Sequence, residues 1–189
     1  RQNNKESLIT DPRVLAAMAA VDRAGFVSEE WGWAAGEDRP LPIGHGQTVS
    51  QPYTVARMLE LLGEGEKVLE IGTGSGWEAA ILSRLFKQVY SVERISELVR
   101  EAEIRIQKLE IRNIEIKIGD GKKGWKEYAP YDGIIVAADA RKAPPALVNQ
   151  LAEGGRIVIP VQGVMKKGTK INGKMKWENF GNFVFVPLI

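Results

Sequence analysis

Val68-Leu-Glu70-Ile-Gly72-Thr-Gly74-Ser-Gly76 carries a short apolar run straight into three alternate glycines. A helical stretch, Trp77–Phe86, follows. A strand, a glycine loop and a helix in that order form the first turn of an open α/β sheet. Glycine there lets the backbone bend sharply and lets a ligand come close. The spacing discriminates between ligands. A dinucleotide fingerprint, GxGxxG, needs its third glycine at position 77, which holds Trp77. An indole where close packing is required disfavours a pyrophosphate. Glu70 is a second signal, because a charge inside an apolar strand is costly to bury without a partner. A cationic or donor-rich ligand would supply one.

Outward from this segment the same pattern repeats. Strands are expected at Val68–Ile71, Val89–Val92, Ile114–Ile118, Gly133–Ala138 and Arg156–Val161. Helices are expected at Trp77–Phe86, Ser96–Leu109 and Pro144–Ala152. Near-continuous apolar strands alternating with helices imply parallel strands covered on both faces. Lys170–Trp177 reads as a hairpin around Asn172-Gly173. Phe183–Leu188 reads as a last strand with no helix before it. The fold class is therefore α/β, a doubly wound, mostly parallel open sheet with antiparallel strands at its C-terminal end.

The 189 residues fit one domain, since domains run ~100–200 residues. Its pattern changes at about residue 66. In residues 1–65, Asp11-Pro12 opens a helix that Gly25 closes. Residues 36–46 (GEDRPLPIGHG) read as loop, and Thr54–Leu62 as a helix with Ser50 as a plausible N-cap. The apolar stretch Val14–Val21 is too short to span a bilayer, which takes ~20 residues, and reads as a core helix rather than a signal peptide. Cysteine is absent and His45 is the one histidine. That removes disulfides, a thiolate nucleophile, cysteine or paired-histidine zinc sites and two-histidine iron sites, and no metal is expected. A net charge of +2 gives little support for nucleic-acid binding, and the basic run Lys117–Lys126 reads as a solvated loop.

Two further strand ends present ligand-type residues. Glu93 ends the second strand, 17 residues after Gly76, where a carboxylate accepts hydrogen bonds from both hydroxyls of a ribose. Asp120-Gly121 follows the third strand, from which an aspartate reaches an adenine amino group across the same crevice. Each has a bland alternative: a tight turn for the glycines, solvated strand ends for Glu70 and Glu93, a helix cap for Asp120. The alternatives weaken jointly, because all three features fall at carboxyl ends of strands, where such sheets bind ligands.

VLEIGTGSGWEAAIL, VYSVER, IGDGKKGW, YDGIIVAAD and LAEGGRIVIPV resemble the ordered motifs of S-adenosylmethionine-dependent methyltransferases. PLPIGHGQTVSQPYTVARMLELL, which precedes them, resembles the signature of the protein-L-isoaspartate O-methyltransferase family, as does the closing GNFVFVPL. The likeness runs from about Asp11 to Leu188, with Gln47–Pro52 its specific part. It implies methyl esterification, by S-adenosyl-L-methionine, of the free carboxylate of L-isoaspartyl residues in damaged proteins and peptides. The ester closes to a succinimide, which begins repair, and S-adenosyl-L-homocysteine is the other product. Residue by residue, the resemblance implies catalytic roles for Ser50 and Thr48, with Gln47 and Val49 beside them on the substrate. It implies cofactor contacts for Glu70, Gly72, Thr73, Gly74, Ser75 and Gly76, a ribose contact for Glu93 and adenine-side contacts for Asp120 and Gly121. Residues 1–65 would be the substrate side and residues 66–189 the cofactor sheet of a cytoplasmic monomer with no nucleic-acid or membrane partner.

The chemistry agrees. A substrate carboxylate is already ionised at neutral pH, its ordinary pKa being ~4, so no strong base is needed. The tasks are alignment and exclusion of water. His45, in a glycine-flanked loop, reads as exposed and inert. Gly36 stands where the family carries an aromatic residue, with Trp31 and Trp33 nearby, and the C-terminal stretch is short. These departures bear on substrate choice. They leave two alternatives: a methyltransferase for a specific aspartate of a partner protein or modified peptide, and a non-catalytic cofactor-binding module. A nicotinamide oxidoreductase is a more distant one. Calorimetric titration separates the last from the rest. S-adenosylhomocysteine should bind and NADH should not, and the reverse result would contradict this reading of the glycine loop.

Overall fold

A computed structural model describes residues 8–189. Its main sheet has seven strands in the order β5-β4-β3-β6-β7-β8-β9. In chain order these are β3 (Gly65–Ile71), β4 (Phe86–Glu93), β5 (Ile114–Ile118), β6 (Tyr131–Val136), β7 (Leu151–Val161), β8 (Val164–Ile171) and β9 (Lys174–Asn182). Strands β5, β4, β3, β6 and β7 run parallel. The pairings β7–β8 and β8–β9 are antiparallel. The strand order reverses beside β3, so the first glycine turn lies at the topological switch point, where open sheets take ligands.

Alternation along the strands sorts the core into two layers. Val68, Val89, Ile135 and Val158 face helices α1 (Pro12–Ala19), α2 (Pro52–Leu62) and α3 (Trp77–Leu82) through Val14, Leu59 and Ile81. Leu69, Ile71, Val92, Ile134 and Ile157 face the other way, onto Leu147 of the short α5 (Pro145–Asn149) and onto Trp125 and Tyr128. That second face is thin in helix. Tyr90, stacked 4.2 Å from Tyr128 and edge-on to Trp125, fills part of it. The long α4 (Ser96–Lys108) packs on β4 and β5.

Several boundaries differ from the sequence reading, each for a local reason. The first helix stops at Ala19, and Asp22 opens a separate 3-10 turn, Arg23–Phe26, by accepting from Ala24 N–H. Residues 36–46 are not all loop. β1 (Leu41–Gly44) pairs with β2 (Gln47–Val49) around Gly44-His45-Gly46, all three at positive φ. Ser50 is not the N-cap of α2. That position is Gln51, and Asp38 from the preceding loop accepts from Tyr53 N–H at 2.8 Å and Gln51 Nε2 at 3.0 Å. Helix α3 ends at Leu82 rather than Phe86, which already begins β4. α5 is five residues, and β7 begins at Leu151. Phe183–Leu188 is not a strand. It follows β9 and makes a single bridge, Pro187 to Asp139. The basic run is not simply a solvated loop either: buried Gln150 pins it through Trp125 N–H and the Lys123 carbonyl.

Gly76 shows why the third glycine is needed. It caps α3 at φ +88°, and a Cβ there would stand 3.1 Å from the Ala102 Cβ of α4. Gly76→Ala should therefore cost about 1–3 kcal/mol, combining the left-handed backbone penalty with the crowding of α4. Urea denaturation measures this, and a variant as stable as the parent would contradict it.

Candidate functional site

One cleft opens at the carboxyl ends of β3, β4 and β6. The glycine loop forms its floor, with Gly72, Thr73, Gly74 and Ser75 all lining it. Glu93 and Arg94 line it from the end of β4, Gly121 from beyond β5, and Ala137 and Ala138 from beyond β6. Its opposite wall is Gln47, Thr48, Val49 and Ser50. Elements more than twenty residues apart in sequence thus face one space. Val186–Ile189 complete the rim. The chain is held there because Asp139 N–H donates to Val186 O at 2.7 Å and Leu188 N–H to Asp139 O at 2.8 Å.

Glu93 is oriented by three backbone amides. Its Oε2 accepts from Gly74 N–H at 3.0 Å, and its Oε1 from Arg94 and Ile95 N–H at 2.8 and 3.0 Å. The carboxylate therefore fixes the glycine loop as well as facing the cleft. Asp120 behaves differently. Its Oδ1 accepts from Lys122 N–H at 2.9 Å, capping a 3-10 turn, and it does not line the cleft, although Gly121 does. Gly76 lies behind the floor as the cap of α3. His45 is exposed at the hairpin tip.

Glu70 is fully buried one layer behind the cleft. Its Oε2 accepts from Ser91 Oγ, and Ser91 Oγ is 2.5 Å from Thr73 Oγ1. Glu70 Oε1 has no partner. Glu78, on the first turn of α3, lines the cleft and also has a buried, unpartnered Oε1. Burial pushes both carboxyl groups up, Glu78 to about 8. The neighbouring charges of Glu78 and Glu93 raise Glu70 further, against the lowering effect of Ser91. Two raised carboxyls with free oxygens beside an open cleft fit a ligand that brings a cation and hydrogen-bond donors. Glycines at positive φ beside them leave room for its backbone-like parts. The chemistry of the donor set thus fits an adenosyl amino acid.

Sequence reasoning missed Glu78, yet its signal was of the same kind as that of Glu70: an acid inside the apolar run WEAAIL. It also missed Trp77, which lines the cleft and donates from Nε1 to Val21 O at 3.2 Å. Val186–Leu188 fall in the closing GNFVFVPL that resembles the family signature, but their place at the cleft rests on the distant Asp139 and has no local signal.

The family model for protein-L-isoaspartate(D-aspartate) O-methyltransferase matches residues 1–189. The chain belongs to this family. A protein-L-isoaspartate O-methyltransferase from Protochlamydia amoebophila is 48% identical over 189 residues, covering 96% of this chain and 90% of that one. One from Halorhodospira halophila is 55% identical over 158 residues, covering 82% and 72%. Among solved structures, a Plasmodium falciparum chain assigned to this methyltransferase, in complex with S-adenosyl-L-homocysteine, superposes with a TM-score of 0.83 at 28% identity. That match covers 96% of this chain and 92% of that one. A second protein-L-isoaspartate O-methyltransferase gives 0.87 at 28% identity, covering 95% and 61%. The Rossmann-like methyltransferase fold is thereby established for this chain.

The carboxyl pair has a measurable signature. In the free protein Glu78 holds a proton that the unfolded chain releases at its ordinary value of 4.5. Between 4.5 and about 8 the folded state binds more protons, so stability falls as pH rises through that window. Glu78→Gln removes this loss. Its stability relative to the parent should grow from about pH 5 to about pH 8, by at most about 1.4 kcal/mol per pH unit. Urea midpoints at several pH values check this, and a difference independent of pH would contradict it.

Proposed function

We propose that this chain transfers a methyl group from S-adenosyl-L-methionine to the free carboxylate of L-isoaspartyl residues in proteins and peptides. S-adenosyl-L-homocysteine is released, and the methyl ester starts repair through a succinimide. The observation that carries the reading is the family match over all 189 residues, taken with the position of Gln47–Ser50 across the cleft from the glycine loop.

Glu78, with Glu70 behind it, would hold the cofactor's amino-acid end, Gly72–Ser75 would border its sulfonium and Glu93 its ribose. Gly121, rather than the Asp120 carboxylate, borders the adenine. S-adenosylmethionine supplies an electrophilic methyl group on a positively charged sulfur. The chain's own residues do the rest. Thr48 and Ser50 hydroxyls donate to the substrate carboxylate and hold one oxygen in line for attack. Neither needs to remove a proton, because the acceptor arrives ionised. Val49, Val55 and the rim Val186–Leu188 keep water from the reacting atoms. The same reading makes the chain a cytoplasmic monomer without nucleic-acid or membrane partners. Its near-neutral charge gives little support for a nucleic-acid partner, and no helix among the described residues is long and apolar enough to cross a membrane.

Paired peptides differing only in Asp or isoAsp at one residue test the reaction. Label from S-adenosylmethionine should enter the isoAsp peptide alone, and equal labelling or none would contradict the proposal. Ser50→Ala should lower turnover by roughly ten- to a hundredfold, the scale of a lost orienting donor, while S-adenosylhomocysteine affinity stays near the parent value. A parallel loss of cofactor affinity would contradict the assignment of Ser50 to the substrate side.

A further inference from the structure

Arg23 is the charged side chain for which neither the fold nor the cleft has yet required a role. It lies in the 3-10 turn Arg23–Phe26 and is 5% exposed. Among the described residues no carboxylate hydrogen-bonds it. Its guanidinium is instead surrounded by main-chain carbonyls. Nη1 donates to Ala35 O at 3.2 Å and Glu37 O at 3.1 Å. Nη2 donates to Arg39 O at 2.8 Å and Ser50 O at 2.9 Å, with a longer contact to Val49 O at 3.4 Å. Its Cζ lies over the Trp77 ring, 5.3 Å from the ring centre. Trp77 begins α3 immediately after the glycine loop, and its N–H donates to Ser75 Oγ at 3.3 Å.

The side chain thus touches both walls of the cleft. A buried cation that the Asp38 carboxylate favours only through its charge, without a hydrogen bond, is a poor way to fill a core, since desolvation opposes it. What a guanidinium does that no apolar side chain does is present several donors in one rigid plane. Here that plane collects carbonyls from the 35–39 loop and from the end of β2. Because each peptide unit is planar and trans, turning the Val49 and Ser50 carbonyls toward Arg23 turns the next N–H groups, of Ser50 and Gln51, away from it. The backbone that carries Thr48 and Ser50 is thereby fixed relative to Trp77 and the glycine loop.

We propose that Arg23 is a positioning residue for the methyl acceptor: its guanidinium holds the 47–50 segment at a set distance and orientation from the cofactor side of the cleft. The inference rests on the reading of Thr48 and Ser50 as the substrate side. Lysine cannot replace it, because an ammonium keeps the charge but lacks the planar fork.

The test compares Arg23→Lys and Arg23→Ala with the parent, measuring isoAsp-peptide kinetics and S-adenosylhomocysteine affinity on folded protein. Both variants should lose roughly ten- to a hundredfold in kcat/KM for the peptide, the scale expected of a misplacement near 1 Å. Their S-adenosylhomocysteine dissociation constants should stay within about twofold to threefold of the parent, below the tenfold that one hydrogen-bond-sized loss would produce. Millimolar guanidinium should restore part of the Arg23→Ala activity, and methylammonium at the same ionic strength should not. The proposal is overturned if Arg23→Lys keeps parental kcat/KM, or if peptide and cofactor constants worsen together. It is also overturned if methylammonium rescues as well as guanidinium, or if neither variant folds, since Arg23 would then serve the whole fold. A parent protein inactive on isoAsp peptides would instead sink the functional reading, so the two failures are distinguishable.

Discussion

Two buried carboxyl groups lie where β3 turns into α3, and among the described residues neither forms an ion pair. Glu70 is the next-to-last residue of β3, and Glu78 is the second residue of α3. The Ser91 hydroxyl donates to one Glu70 oxygen, and Thr73 Oγ1 in turn bonds Ser91 Oγ. Glu70 Oε1 and Glu78 Oε1 stay unpartnered at a cost that apolar residues in the same places would avoid. The surrounding architecture keeps this arrangement in place. Alternate glycines let the loop pass over it, Gly76 brings α3 against α4, and Glu93 ties the loop amide of Gly74 to the end of β4. On the proposed function, the ammonium group of the cofactor would give these buried oxygens a partner.

How far the sequence discloses this follows from the range of each interaction. The glycine loop, Glu70, Glu93 and the parallel strands were legible because periodicity and spacing within about 25 residues specify them. The 47–50 segment was legible through its resemblance, not through physics, since its backbone is set by Arg23 and by pairing with β1. Ser50 looked like a helix cap because Ser before Pro is a good local signal. Asp38, which does the capping, acts from a loop thirteen residues before Gln51. Asp120 shows the converse. The bland reading as a cap was the one its hydrogen bond to Lys122 follows. The closing segment 183–188 had strand composition, yet β8 and β9 complete the sheet and leave it to meet Asp139 at the cleft.

Absence of cysteine and of a second histidine fits a reaction whose partners bring their own reactivity. A carboxylate acceptor and a sulfonium donor need alignment, donors that orient one oxygen, and removal of water. Buried acids lie beside the glycine loop, a buried arginine holds the backbone of residues 49 and 50, and the Thr48 and Ser50 hydroxyls belong to the cleft lining.

Carbon-13 NMR titration of the glutamate side-chain carboxyls, with and without S-adenosylhomocysteine, tests the role of the Glu70–Glu78 pair most directly. In the free protein Glu78 should titrate near the value of about 8 that burial gives it, with Glu70 also raised. With ligand bound, both should fall by about one unit or more, because an ammonium nearby favours the ionised forms. Carboxyls that titrate in the ordinary range in the free protein, or that do not respond to the ligand, would contradict it.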